Sequence, residues 1–263
     1  MALSPYASMS KYPKIKLIAT DLDGTLLRSD LTVSQRTIDV LRRCRASGIK
    51  IIFATGRGGS AELIVPPGIF DGRITNNGAV TVADGVTYKR LIPCMEARAL
   101  LLACDKRGFM LTSQISDMHY TNFDVAPIWP QVKNYKIVDF NIHGLDAEKI
   151  CMDVKTDDEE AFIRSRLTEN MYLTIARDGL GMIMCRDATK SKALAGLAEV
   201  WCIDKNEIVA FGDDLNDVDM LSYAGVGVAM GNALEEARAA AGHICKTNDE
   251  DGVADWLEEH IVI

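Results

Sequence analysis

Two aspartates, Asp21 and Asp23, stand one residue apart directly after the short apolar run Ile15–Thr20. Successive side chains of a β-strand point to opposite faces, so both carboxylates point the same way if the extended geometry continues past the run. Two unit charges about 4 Å apart near a protein surface repel by roughly 4 kcal/mol. A fold tolerates that repulsion only where a cation or a function offsets it. The pattern therefore predicts a buried strand whose carboxyl end binds a metal ion.

Strand and helix patterns alternate at both ends of the chain, which is typical of an α/β protein with a parallel sheet. The segments predicted as strands are 15–20, 49–54, 72–76, 208–212 and 226–230. The segments predicted as helices are 34–47, with Ser34 as N-cap, and 190–201, 218–224, 233–241 and 252–260. Between these regions, short β-like and helical runs mix with most of the aromatic residues. We interpret this middle part as a second, α+β domain inserted into the first.

Composition narrows the class of protein. The 263-residue chain carries a net charge of −8, which argues against binding nucleic acid through its overall field. Its seven cysteines form no C-x-x-C pair and indicate reduced thiols, and its four histidines show no zinc-ligand spacing. Residues 1–14 lack an apolar signal segment, and no apolar run reaches the roughly 20 residues of a membrane helix. We therefore expect a cytoplasmic protein without a membrane or nucleic-acid partner.

A second acidic cluster, Gly212–Asp217, comes at the end of the predicted strand 208–212. In open α/β sheets, ligands bind outside the carboxyl ends of the strands. Asp21, Thr55 and Asp213 each stand at such an end. Carboxylate and amide oxygens are the ligands that Mg²⁺ prefers, usually together with waters and phosphate oxygens of a substrate. The sequence therefore predicts a magnesium site at this edge of the sheet.

These segments resemble the four ordered motifs of the haloacid dehalogenase-like superfamily. The matching segments are Asp21–Leu27, Thr55–Arg57, a lysine before Ala193–Leu194, and Gly212–Asp217. Three further segments resemble its Cof-type branch, namely Asn76–Ala79, Val228–Ala233 and Asn248–Val253. The resemblance implies an α/β fold with a Rossmann-like parallel-sheet core and an inserted α+β cap domain. We place the discontinuous core at 1–80 and 187–263 and the cap, which selects the substrate, at 81–186.

The resemblance also implies a role for each motif residue. Asp21 matches the nucleophile that forms an aspartyl-phosphate, and Asp23 matches the general acid. Asp21, Asp213 and the main-chain carbonyl of Asp23 match the Mg²⁺ ligands. The positions that match contacts to the substrate phosphate are Thr55, Gly56, Lys190 and Asn216. Asp214 and Asp217 lie beside the metal ligands as supporting groups.

The implied activity is Mg²⁺-dependent hydrolysis of a small phosphate monoester, with sugar phosphates and similar phosphometabolites as the leading substrates. In this interpretation the cap closes over the substrate, excludes bulk water and selects the leaving group. A phosphosugar mutase with the same aspartyl-phosphate chemistry and a non-catalytic phosphometabolite-binding protein are the alternatives. The sequence identifies neither the physiological substrate nor the oligomeric state.

Four details depart from the family pattern or allow another interpretation. Ser191 follows Lys190 where the family usually has glycine, and Lys192 is next, but the register of Ala193–Leu194 favours Lys190. A calcium loop starting at Asp21 fails, because its sixth and twelfth positions are not glycine and glutamate. The glycines of 225–231 favour close backbone packing over dinucleotide binding. Arg57 either contacts substrate or pairs with an acid.

Overall fold

The computed structural model describes residues 14–130, 132–142, 144–176 and 179–261. Residues 1–13, on which the expectation of no signal segment rests, lie outside these ranges. The chain divides into two compact units. The first comprises the described residues of Met1–Phe53, Pro66–Gly72 and Leu194–Ile263, and the second those of Ala54–Val65 and Arg73–Ala193. The placement of the core at 1–80 and 187–263 and of the cap at 81–186 stays a prediction.

The described residues form strands and α-helices in the following chain order. The strands are β1 (Leu17–Thr20), β2 (Lys50–Ala54), β3 (Gly72–Thr75), β4 (Val80–Ala83), β5 (Val86–Lys89), β6 (Leu111–Ile115), β7 (Met118–Thr121), β8 (Tyr135–Ile137), β9 (Lys149–Asp153), β10 (Met171–Ile175), β11 (Leu180–Cys185), β12 (Ile208–Gly212), β13 (Val226–Ala229) and β14 (His243–Ile244). The helices are α1 (Gln35–Ala46), α2 (Cys94–Lys106), α3 (Asp157–Arg164), α4 (Lys190–Val200), α5 (Val218–Tyr223), α6 (Glu235–Ala240) and α7 (Gly252–His260).

The first unit contains a parallel sheet in the order β14-β13-β12-β1-β2. Its central strands are buried throughout, as expected where helices cover both faces of a parallel sheet. Thr20, the last residue of β1, pairs with Phe211 of β12 and with Phe53 of β2. The carboxyl ends of β1 and β12 therefore lie side by side, and the predicted α/β class is confirmed.

Local signals set the bounds of α1. The Ser34 side chain accepts a hydrogen bond from the Thr37 N–H, so it caps the helix as predicted. The apolar stripe that includes Val40, Leu41 and Cys44 is buried. Gly48, with a φ of +87°, follows the helix in the left-handed region that glycine adopts readily. Sequence patterns alone were sufficient for this element.

The second unit contains a six-stranded sheet in the order β10-β11-β9-β6-β7-β8. All its strand pairs are antiparallel except β7 with β8. One face belongs to the apolar core formed with α2, which includes Leu101, Leu111, Ile150 and Ile183. Residues that pair across this sheet share a face, so Gln114, His119 and Lys149 lie together on the opposite face. The unit also holds the antiparallel hairpin β4–β5.

The helix predicted for 233–241 is shorter in the structure, where it is α6, of six residues. The segment after Arg57 forms a 3₁₀ helix at Gly59–Leu63. Within the described ranges, no helix combines the length and the apolar character needed to cross a membrane.

Candidate active site

Asp21 and Asp213 are brought together by the pairing of β1 with β12. Asp21 follows Thr20, the last residue of β1, and Asp213 follows Gly212, the last residue of β12. Both therefore lie at the carboxyl edge of the sheet. The Asp21 N–H donates to the Phe211 carbonyl at 3.0 Å, and the Asp21 residue is only 5% exposed. The Thr25 hydroxyl donates to Asp213 Oδ1 at 2.7 Å. Backbone pairing and one side-chain hydrogen bond thus fix two carboxylates nearly two hundred residues apart in sequence.

Asp21, Asp213 and Asp217 form a cluster of carboxylates. One oxygen of each lies within 4.8 Å of one oxygen of each of the others. Negative charges at this spacing repel one another, and a divalent cation offsets that cost. An all-oxygen donor set suits Mg²⁺ rather than a metal that prefers nitrogen or sulfur. The chemistry of these residues therefore fits the predicted ion.

Asp217 anchors the turn that carries Asp213. It is fully buried, and its Oδ2 accepts hydrogen bonds from the N–H groups of Asp213 (3.0 Å) and Asp214 (3.1 Å). Gly212 makes room for it, because a Cβ on residue 212 would lie 2.4 Å from the Cβ of Asp217. Asp214 is exposed, and its Oδ1 accepts from the Leu215 N–H at 2.7 Å. These bonds give both residues a part in shaping the turn.

The Asp23 side chain is exposed, unlike that of Asp21, and is not part of the three-carboxylate cluster. Asn216 is also exposed, on the 3₁₀ turn that follows Asp214. Exposure leaves both side chains accessible to water and to a ligand. Their predicted roles as general acid and as phosphate contact stay predictions.

Gly24 is required by its close approach to Asp213. Its φ is +75°, and a Cβ at this position would lie 2.3 Å from Asp213 Oδ2.

Two asparagines hold the loop that follows Asp21. The Gly24 carbonyl accepts from Asn232 Nδ2 at 2.8 Å, and Asn232 Oδ1 accepts from the Asn248 N–H at 3.0 Å. Asn248 Nδ2 in turn donates to the Leu27 carbonyl at 2.9 Å. The two asparagines therefore clamp the loop after Asp21, a role that their motifs alone did not indicate.

Thr55, Gly56 and Lys190 belong to the second unit. Thr55 is 1% exposed, and its Oγ1 accepts from the Arg57 N–H at 3.1 Å. The Thr55 carbonyl accepts from the Asn77 N–H (2.9 Å), and the Arg57 carbonyl accepts from the Asn76 N–H (2.8 Å). Both asparagines have positive φ, which this residue type tolerates better than most. The 55–57 loop is thus tied to the turn after β3.

Lys190 and Lys192 differ in their surroundings. Lys190, the first residue of α4, is 1% exposed, whereas Lys192 is exposed and pairs with Asp187 at 2.5 Å. Burying an ammonium group is costly unless charges or hydrogen-bond acceptors compensate it. A lysine kept in such a place is more typical of a functional position than an exposed, ion-paired one. The contrast supports the choice of Lys190.

The glycines near the end of the chain serve close packing. A Cβ on Gly227 would lie 2.3 Å from the Leu221 carbonyl oxygen, and one on Gly225 would lie 2.4 Å from the Asn206 Cα. These contacts support the packing interpretation over dinucleotide binding.

His119 of β7 gives the second unit a pH-dependent stability. Burial, with a smaller contribution from the Lys149 ammonium, lowers the pKa of His119 to about 4, while Asp117 opposes the shift. The unfolded histidine has a pKa of about 6.5, so below that pH the unfolded state binds the extra proton first. The contribution of His119 to the free energy of unfolding is therefore full above about pH 6.5 and decreases as the pH falls towards 4.

We expect the free energy of unfolding to fall by about 2 kcal/mol more in the wild type than in His119→Gln when the pH is lowered from 7 to 4.5. Urea unfolding of both proteins at the two pH values measures this difference. The glutamine variant serves as the control for all other titrating groups. Equal losses in the two proteins would contradict the assignment.

Comparison with known proteins gives matches along nearly the whole chain. The sequence profile of the haloacid dehalogenase-like hydrolases matches residues 18–257. Phosphatase YwpJ of Bacillus subtilis is 30% identical over 288 residues, covering 93% of this chain and 99% of that protein. The 5-amino-6-(5-phospho-D-ribitylamino)uracil phosphatase YitU of the same organism is 28% identical over 264 residues, with coverages of 93% and 97%. The solved structure of the HAD subclass IIB sugar phosphatase BT4131 has a TM-score of 0.82 at 27% identity, covering 94% of this chain and 100% of that chain.

Proposed function

The chain belongs to the haloacid dehalogenase-like hydrolases and is a phosphatase of that family, and we propose that it hydrolyses small phosphate monoesters through an aspartyl-phosphate at Asp21 with the help of Mg²⁺. The observation that carries the proposal is the carboxylate cluster of Asp21, Asp213 and Asp217 at the carboxyl edge of the parallel sheet. It joins a fixed, buried nucleophile to a donor set that suits a hard cation.

Asp21 and Asp23 are assigned the covalent chemistry. The Asp21 carboxylate attacks phosphorus, and the bond from phosphorus to the leaving oxygen breaks as Asp23 donates a proton to that oxygen. Asp23 then accepts a proton from a water molecule as the water oxygen attacks the phosphorus. The bond between phosphorus and the Asp21 oxygen breaks, and the phosphoryl group leaves as inorganic phosphate. The anchored, buried position of Asp21 supports the first role. The exposure of Asp23 is compatible with the second role, because its side chain is accessible to a substrate and to water.

The role of metal ligand is assigned to residues that follow the carboxyl ends of β1 and β12. Asp21, Asp213 and the main-chain carbonyl of Asp23 would hold Mg²⁺, which would supply positive charge to offset that of the phosphoryl group and the carboxylates. The hydrogen bond from Thr25 to Asp213 and the anchoring of the 213–214 backbone by Asp217 support this assignment, because they orient the Asp213 carboxylate. Asp214 and Asp217 then act by positioning.

Four other residues are assigned to the phosphate of the substrate. We give Thr55, Gly56 and Lys190 the role of holding the transferring phosphoryl group and Asn216 a further contact to it. Phosphoryl transfer depends mainly on positioning and on charge stabilisation, so a hydroxyl, an N–H group and an ammonium suit this role. The burial of Lys190 supports it, because an ammonium group in the interior is costly unless an opposite charge or hydrogen-bond acceptors compensate it.

Mg²⁺ is expected to stabilise the folded protein. Because it binds the native carboxylate cluster, a concentration about 100 times its Kd should raise the melting temperature by about 5 to 10 °C. Thermal unfolding in MgCl₂, compared with NaCl of equal ionic strength, measures the specific effect. Identical melting temperatures in the two salts would count against a cation site at these aspartates.

The substrate class is proposed from the relatives. BT4131 is a sugar phosphatase and YitU acts on a phosphorylated ribitylamino compound, so sugar phosphates and similar phosphometabolites are the substrates that we propose. A panel of such compounds with Mg²⁺, assayed for inorganic phosphate and for isomerised phosphosugar, tests the proposal. Release of free phosphate would support a phosphatase, and isomerised phosphosugar without free phosphate would identify a mutase. The absence of both products would favour a protein that binds phosphometabolites without turning them over. A cytoplasmic location stays a prediction.

A further inference from the structure

The loop that follows β2 is held by polar side chains of the six-stranded sheet and of the turn between β6 and β7. Lys149 Nζ donates to the Gly56 carbonyl at 3.0 Å, and Asp117 Oδ1 accepts from the Ser60 N–H at 3.0 Å. Gln114 lies against Gly58, where a Cβ would be 2.3 Å from its Nε2. The bonds and contacts span roughly the whole 56–60 loop. The loop conformation therefore depends on residues far away in sequence.

Lys149 contributes a buried positive charge to these contacts. It is the first residue of β9 and is 8% exposed, so its ammonium group has little access to bulk water. A charged donor deprived of water binds a carbonyl more strongly than a neutral donor does. The neighbouring residue, Glu148, is 3% exposed and accepts from Asn76 Nδ2 at 2.9 Å. The Asn76 N–H donates to the Arg57 carbonyl, so Lys149 binds one carbonyl of the loop directly and Glu148 is linked to the next through Asn76.

The Lys149 contact reaches Thr55 through a single peptide plane. The Gly56 carbonyl and the Arg57 N–H belong to the same planar peptide group. Lys149 holds the carbonyl end at 3.0 Å, and the N–H end donates to Thr55 Oγ1 at 3.1 Å. Rotation of this plane would break both hydrogen bonds at once. Through this peptide plane, the lysine restricts the orientation of the threonine hydroxyl.

A hydroxyl has one donor and two acceptor sites. Thr55 Oγ1 accepts from the Arg57 N–H, and the same hydroxyl carries one proton that it can donate. A phosphoryl oxygen carries only acceptor sites, so the fixed peptide prepares the hydroxyl for this kind of ligand. We propose that Lys149 is a positioning residue that sets the Thr55 hydroxyl for the transferring phosphoryl group. The inference rests on the phosphate-holding role given to Thr55 under the proposed function.

A double-mutant cycle of Lys149→Met and Thr55→Val tests the coupling. Loss of one such positioning contact is expected to lower kcat/KM of Lys149→Met by about tenfold. The loss should be equal for p-nitrophenyl phosphate and for a phosphosugar, because the phosphoryl group is common to both, and the Ki of inorganic phosphate should rise in parallel. In the Thr55→Val background, Lys149→Met should change kcat/KM by less than about twofold. Lys149→Arg should recover part of the activity, since it keeps a charged donor.

Additive effects of the two substitutions would overturn the proposal, as would losses that differ between the two substrates. Lys155→Met, at an exposed lysine six positions further along, is the control and should behave as the wild type. The melting temperatures of all variants identify any that fail to fold, and Lys149→Arg then serves as the test variant within the cycle.

A second measurement is independent of turnover. Hydrogen exchange of the Arg57 amide should be faster in Lys149→Met than in the wild type, because the peptide plane is no longer held at its carbonyl. If the wild type releases no phosphate but exchange is faster in the variant, the proposed function fails and the structural coupling stands. Unchanged exchange at Arg57 overturns the coupling itself, whatever the activity.

Discussion

Asp21→Asn is expected to reduce phosphate release by at least about 10³-fold while leaving the fold intact. Asparagine has nearly the same shape as aspartate, but its amide is a poor nucleophile and a poor Mg²⁺ ligand. The Asp21 N–H that bonds to Phe211 is a backbone group, so the substitution leaves that anchor in place. Removing one charge from the cluster with Asp213 and Asp217 also relieves repulsion in the metal-free protein. Its melting temperature without Mg²⁺ should therefore equal or exceed that of the wild type.

Initial rates of phosphate release and thermal unfolding, measured on the same preparation, check this prediction. Asp39→Asn is the matched control, because Asp39 is an exposed carboxylate of α1 within the same unit. It removes the same charge without touching the cluster, and its rate should stay within about twofold of the wild type. A near-normal rate in Asp21→Asn would show that another group receives the phosphoryl group.

Asp213→Asn is expected to lower activity by about 10²-fold or more and to abolish the stabilisation by Mg²⁺. The variant can keep the hydrogen bond from Thr25, because the asparagine Oδ1 also accepts. What it loses is the carboxylate charge beside Asp21, which is the part that a hard cation requires. The loss should therefore appear as a failure to bind metal rather than as unfolding.

Two titrations measure this loss. Activity and melting temperature, each followed against Mg²⁺ concentration, should show saturation in the wild type and in Asp39→Asn. In Asp213→Asn the half-saturating concentration should rise by at least about tenfold, or the response should vanish. An unchanged half-saturating concentration would exclude Asp213 as a ligand.

The proximity of Asp21 and Asp213 was predictable from the sequence. Both follow apolar runs that read as parallel strands, and the carboxyl ends of such strands share one edge. Helix α1 was equally accessible, because its N-cap Ser34 and its apolar stripe are local signals. Patterns of this kind need no knowledge of distant contacts.

Other features depend on contacts that spacing does not reveal. The burial of Asp217, with its oxygen within the carboxylate cluster, follows from hydrogen bonds to two backbone N–H groups. The strand β14 has only two residues, too few to show the alternation of apolar and polar residues that is typical of a strand. The strand β5 is exposed along its whole length, so its residues do not alternate between buried and exposed. The bond between Lys149 and Gly56 joins residues 93 positions apart. Such features become visible only when tertiary packing is known.

The central claim, a phosphoryl group carried by Asp21, has a direct chemical test. Borohydride reduces an acyl phosphate but not a free carboxylate, so quenching the enzyme with it during turnover should convert Asp21 to homoserine. Mass spectrometry of the peptide that contains residue 21 detects the conversion, with Asp21→Asn and substrate-free samples as controls. We expect homoserine at position 21 only when substrate and Mg²⁺ are both present. Phosphate release at full rate with an unmodified Asp21 would contradict the account.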